Sequence, residues 1–227
     1  MSTAEHQDRT EAPVRRAGRG GALLPRVIGA AASLALLVAM AASTRWLSAE
    51  EVSALTPKPF IAAEFVAEQF PQVQQKVVEN AVDVHERAAA LSSNVQSAGK
   101  KFGIDSGSGK YTIPVKAQAK VASVDANWIV LDTPDIEGFK VRIPSGTTIS
   151  GNPIRDVTGD ITFGDFTDQT TYQDVANEFK LLVQREIMDP LEKDQLPGRT
   201  VTVHGAFTTG GAPGQIIIQP VTFEVGA

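Results

Sequence analysis

Four acids, three amides and three aromatics crowd into residues 159–177, Gly-Asp-Ile-Thr-Phe-Gly-Asp-Phe-Thr-Asp-Gln-Thr-Thr-Tyr-Gln-Asp-Val-Ala-Asn. Arg155 and Asp156 stand just upstream. The acids Asp156, Asp160, Asp165 and Asp168 are hard oxygen donors of the kind calcium takes, but their spacing departs from the EF-hand loop. Two carboxylates could serve as acid and base on a glycosidic bond, although almost any chain offers such a pair. Planar amide, carboxylate and aromatic groups also suit the hydroxyls and faces of a sugar. The expectation is therefore a set of ligand contacts from Arg155, Asp156, Asp165, Asp168, Gln169 and Tyr172, with Phe166 as an apolar anchor. The competing expectation is architectural: Arg155 pairs with Asp165 or Asp168, Tyr172 is core, and Asp165 or Thr167 orders the turn before a helix.

Other chemistries find little support. The chain has no cysteine, which excludes disulfides, thiolate metal sites, a cysteine nucleophile and lipid attachment through cysteine. Its three histidines, His6, His85 and His204, lie far apart in sequence, so a histidine metal centre is not expected. His85 reads as a solvated residue on a charged helix face, and His204 as a neutral, hydrogen-bonded residue within or beside the core. No nucleophile elbow, phosphate-binding loop or dinucleotide fingerprint occurs, and Ser106-Gly-Ser-Gly109 reads as a flexible loop. The chain is expected to be no enzyme and to need no cofactor or metal.

The elements that would position these residues follow from periodicity. Apolar residues from Ile61 to Leu91 recur at three- and four-residue steps, predicting two or three helices over 60–103, with Pro71 kinking or restarting the run. From Tyr111 the period becomes two, predicting a long strand, then strands at 128–131 and 139–143, with short candidates at 147–149 and 161–163. Tyr172, Val175, Ala176, Phe179, Val183, Ile187 and Leu191 form one stripe, predicting a helix from about Thr171 to Asp189, capped at Thr170 or Thr171. Strands at 200–207 and 215–225 follow across the hairpin Gly210-Gly-Ala-Pro-Gly214. Three strands, a helix and two strands is the order of a five-stranded OB-like barrel with one helix between strands three and four. The expected fold class is α+β, with that barrel over 110–227.

Ahead of it, residues 1–22 read as a disordered cytoplasmic tail, 23–46 as a transmembrane anchor or signal segment, and 47–59 as a linker. Val27–Thr44 is an uncharged stretch of 18 residues, about 27 Å as a helix, flanked by Arg26 and Arg45-Trp46. Cleavage near Ala39-Met40-Ala41 is the alternative. Residues 1–44 hold five arginines against three acids, predicting an N-terminus inside, an inner-membrane contact through 27–44 and an extracytoplasmic body. The remaining residues carry 16 basic and 23 acidic side chains, a poor match to a phosphate backbone, so no nucleic-acid partner is expected.

Four motifs point further. Ala98-Gly-Lys-Lys-Phe-Gly103, Gly151-Asn-Pro-Ile-Arg-Asp156, Ile161-Thr-Phe-Gly-Asp-Phe-Thr-Asp-Gln169 with Tyr172, and Gly198-Arg-Thr-Val-Thr-Val-His-Gly-Ala-Phe207 resemble a bacterial family of uncharacterised predicted periplasmic lipoproteins. The resemblance covers roughly Phe60 to Val225. It differs at Asp168, where the family commonly has Asn, and in lacking the lipobox cysteine, for which a membrane helix looks like a substitute. It implies a tethered extracytoplasmic accessory protein, associated with sugar ABC transporter subunits, and implies no activity. A cell-envelope structural protein is the alternative, and a nucleic-acid-binding OB domain a further one.

Overall fold

The alternation that begins at Tyr111 folds into a single strand, Lys110–Val124, which buries Ile113, Val115, Ala117 and Val121 on one side. The computed structural model describes residues 23–44, 47–48, 50–52, 59–146 and 151–226. In chain order the strands are β1 (Val82–Asp83), β2 (Ile104–Gly107), β3 (Lys110–Val124), β4 (Trp128–Asp132), β5 (Lys140–Pro144), β6 (Thr200–Thr208), β7 (Gln215–Ile217) and β8 (Gln219–Val225). The helices are α1 (Leu23–Ser43), α2 (Ala62–Asn80), α3 (Val84–Ser93), α4 (Val95–Phe102), α5 (Pro153–Asp156) and α6 (Gln169–Val183). The chain divides into two units, Met1–Lys58 and Pro59–Ala227.

In the first unit the expected membrane-spanning helix is overturned. Among the described residues no helix is long and apolar enough to cross a membrane. Helix α1 forms, but Pro25 and Arg26 occupy its first turn. Its uncharged remainder, 27–43, spans about 26 Å at the helical rise, short of a hydrocarbon core of about 30 Å. Seven alanines, two serines and a glycine make much of that remainder only weakly apolar. The expected tail over 1–22 lies outside the described residues, as does most of the linker before Pro59.

In the second unit β3 is the strand to which most others attach. It pairs antiparallel with β2, β4 and β6, and parallel with β1. The sheet runs β7-β5-β4-β3-β6-β8, and its two ends are one segment of chain interrupted at Ile218. Before the break β7 pairs in parallel with β5; after it β8 pairs antiparallel with β6. The Ile218 amide still donates to the Arg142 carbonyl (2.9 Å), so the sheet closes on itself. Val115, Ile129, Val141, Ile143, Val203, Ile216 and Ile218 fill the core, each essentially without exposure. Closure removes the free edges that an open five-stranded sheet would present.

Helix α6 follows the third barrel strand and precedes the fourth, as the order of elements predicts. It buries Val175, Ala176, Phe179, Leu182 and Val183 and continues as a π turn over Gln184–Met188. Helix α2 lies against it, with the rings of Phe70 and Phe179 6.4 Å apart. Pro71 neither breaks nor restarts this helix, which runs through it. Asp83 and Asn94 cap α3 and α4 by accepting from the amides of His85 and Ser97. Three sequence expectations change here. Residues 106–109 are not all loop: Ser106 and Gly107 end β2, and Ser108-Gly109 make the two-residue turn into β3, with positive φ at both (55° and 72°), the backbone that such hairpins need. Residues 161–163 are not a strand; they lead into a 3-10 turn, Phe163–Asp165. The candidate at 147–149 lies outside the described residues.

Candidate functional site

Most of the seven residues singled out from sequence lie close together, and each except Gln169 has a local partner. Arg155, in α5, is buried at 6% exposure. Its Nε donates to Asp156 Oδ1 at 2.7 Å and its Nη1 to the Tyr172 carbonyl at 3.2 Å. The guanidinium carbon sits 3.6 Å from the Tyr172 ring centroid. Arg155 thus pairs with Asp156, not with Asp165 or Asp168. Burial pushes the Tyr172 hydroxyl's pKa up, with the Arg155 charge opposing. Phe166 packs at 5.5 Å from each of the Phe60, Phe65 and Tyr172 rings, so it is anchored within the protein, to the start of α2 and the residues just before it and to α6.

The acids of this stretch build turns. The Asp165 carboxylate accepts from the Thr162 amide (2.7 Å) and hydroxyl (2.9 Å), holding the 3-10 turn. Asp168, not Thr170 or Thr171, is the N-cap of α6: Oδ1 accepts from the Thr171 amide at 2.8 Å. Those bonds hold its carboxyl below the usual range, the Thr171 amide contributing most. Asn and Asp serve equally at an N-cap, so the departure from Asn at position 168 keeps this role. Gln169 is exposed in the first turn of α6. Asp160 is drawn off by Lys76, 2.6 Å away. Among the described residues no group of three or more acids and histidines is arranged to hold a metal.

A cleft of about 670 Å³ lies elsewhere, on the outer face of the barrel. Arg142 of β5 stands at its centre, in register with Val130 of β4 on one side and Ile217 of β7 on the other. Trp128 opens β4 and places its ring 5.8 Å from the guanidinium. The Gly-rich hairpin 209–212 forms one wall, while Gly151 and Pro153 line another part. Lys110, Thr208, Gln215 and Gln219 complete the polar lining. The Arg142 Nη1 makes one long bond, 3.5 Å, to Gln215 Oε1, and its Nε is enclosed without a partner among the described residues. Asn152 Oδ1, between cleft residues Gly151 and Pro153, is likewise enclosed and unpaired.

A family profile described as predicted periplasmic lipoprotein (DUF2291) matches residues 34–224. The chain belongs to that family. No curated protein matches it. A crystal structure of an OB-fold protein from Thermotoga maritima is similar with a TM-score of 0.64 and 19% identity, covering 74% of this chain and all of the other. That likeness supports the OB architecture and, at this identity, the fold alone. Membership of a periplasmic family agrees with an extracytoplasmic body. The lipoprotein description meets a chain without cysteine, so thioether lipidation has no acceptor in these residues.

The cleft was not legible in the sequence of this family member. Its lining comes from six strands and two connections, and the sequence marked only the connections, as the hairpin 210–214 and the motif 151–156, neither of them as a site. One signal was available. Arg142 interrupts the apolar strand Phe139-Lys-Val-Arg-Ile143 at an outward position, beside the parallel partner that closes the barrel.

Proposed function

We propose that the chain is an extracytoplasmic accessory protein that binds a small polar ligand of the sugar type and catalyses nothing, and that it works beside a sugar ABC transporter. The observation that carries this reading is the Trp128–Arg142 cleft. Its volume is within the range of about 300–1,000 Å³ that small-ligand sites occupy. An aromatic face, amides, hydroxyls and cations converge there, which is what a ring with many hydroxyls needs. The cleft also lies across the second and third barrel strands and the hairpin before the last, where OB barrels take oligosaccharides and oligonucleotides. Resemblance to proteins encoded beside sugar importers supports the choice of sugar.

Within this reading the 155–172 cluster faces a protein partner. Exposed Asp165, Asp168 and Gln169 offer polar contacts and exposed Phe163 an apolar one, while Arg155, Asp156, Phe166 and Tyr172 hold them in place.

Calorimetric titration with a panel of neutral and acidic monosaccharides tests ligand binding. Saturable heat that W128A weakens is expected, and no heat from any sugar overturns the reading. Co-purification with the subunits of a neighbouring sugar transporter tests the association separately. Its failure removes the transporter and leaves the ligand.

A further inference from the structure

The charge of the cleft runs against that of the protein. The residues beyond 44 carry a net charge of −7, yet among the described residues the cleft lining contains Lys110 and Arg142 and no Asp or Glu. Neither cation forms an ion pair with a carboxylate among the described residues, whereas Arg155 and Lys76 both do.

The hydrogen bonding of Arg142 sharpens the point. An enclosed N–H with no acceptor loses its hydration without replacement. Arg142 leaves Nε in that condition and holds Nη1 only by a 3.5 Å bond to a neutral amide. The fork of a guanidinium matches the two oxygens of a carboxylate or phosphate. The Trp128 ring lies alongside. Cations without a carboxylate, a stacking face and the neutral lining groups of Thr208 and Gln215 together describe a ligand with an acid at one end and hydroxyls on a ring.

Resting on the ligand-binding reading above, we propose that this cleft is a site for an anionic monosaccharide, a hexose ring bearing a carboxylate or a phosphate. The acid group meets Arg142 and Lys110, the ring lies against Trp128, and its hydroxyls meet Thr208 and Gln215.

The test is isothermal titration of the full chain with glucuronate, glucose 6-phosphate, glucose and inorganic phosphate. At least one sugar acid binds about tenfold or more tighter than glucose, the size expected for one charge-assisted contact. Tighter glucuronate assigns the carboxylate, and tighter glucose 6-phosphate the phosphate. R142Q removes the preference without moving the thermal transition. K110Q, on the strand end and so safe for folding, weakens the acids but not glucose, and added salt does the same. Glucose binding as tightly as both acids overturns the anionic inference and leaves sugar binding intact. Inorganic phosphate binding as tightly as glucose 6-phosphate overturns the sugar-acid assignment. No heat from any of the four overturns the inference and the ligand reading together.

Discussion

Arg155 lies flat against Tyr172, its guanidinium carbon 3.6 Å from the ring centroid, while the same group bonds Asp156 on its edge and the Tyr172 carbonyl beyond. One buried cation thereby ties the short helix α5 to the first turn of α6. Removing it leaves the Asp156 carboxylate, 15% exposed, without its partner. R155M is expected to destabilise the protein by about 3 kcal/mol, the lower end for breaking a buried pair. R155K keeps the charge but not the flat stack or the fork, so its loss should be intermediate. Urea unfolding of both variants checks this. Equal stability of R155M and the native chain would show that the stack is incidental.

Asp168 holds its place by capping, and its exposure does not diminish that. D168A should lower the melting temperature near neutral pH, and D168N should retain most of it, since Asn caps as well as Asp. The pH dependence has a definite sign. The folded carboxyl titrates below its unfolded value of about 3.9, so its contribution is present above that value and lost as pH falls through the folded one. The gap between D168A and the native chain should close in acid. Thermal melts across the acid range measure it, and a constant gap contradicts the capping account.

His204 sits on the outer face of β6, its Nδ1 3.0 Å from Thr222 Oγ1 on β8 and its residue in register with Lys116 on β3. Burial pushes its pKa below the ordinary value, Lys116 adds to that, and Glu224 opposes. The unfolded chain therefore takes up a proton more readily than the folded one. Stability is full above about pH 6.5 and declines as pH falls below that unfolded value toward the folded one. H204Q should flatten this part of the curve, which urea midpoints between about pH 7 and 5 would reveal. An unchanged slope assigns the pH dependence to other groups.

The parts of the fold that could be read from sequence were those fixed by local period. The alternation around Val115 and Val203 and the stripe from Tyr172 to Val183 each depend on neighbours within a few residues. The barrel order followed from them. Closure could not be read, because the break at Ile218 hands one segment from β5 to β6, and the β5 pairing joins Arg142 to Ile217, about 75 residues apart in sequence. Val82–Asp83 was hidden for the same reason: two residues inside a helical pattern pair in parallel with Val115 and Lys116. The candidate site failed differently. Dense polar sequence at 159–177 reflects turns and caps that must satisfy their own backbone donors, which is why Asp165 and Asp168 are bonded locally. The cleft, assembled from single residues of separate strands, leaves no run of polar residues to notice.

The break in the last strand depends on a glycine opposite it. The β6–β8 register shifts between His204 and Gly205, bringing the Gly205 α-carbon against the Gln219 carbonyl. A Cβ there would overlap that carbonyl oxygen and come within 2.7 Å of the Ile218 side chain. Backbone on one side and barrel core on the other leave nothing free to move aside. G205A should therefore cost about 2–3 kcal/mol, the upper range for overpacking. It should also push Gln219, a cleft residue, out of place and weaken ligand binding beyond what the stability loss explains. G211A is the control. Its Cβ meets nothing within 4 Å, so it should stay within about 0.5 kcal/mol of the native chain. Urea unfolding and calorimetry on the two variants separate the effects. A G205A chain as stable as G211A would mean that β6 and β8 can part locally, and that closure at Ile218 is not what holds the cleft in shape.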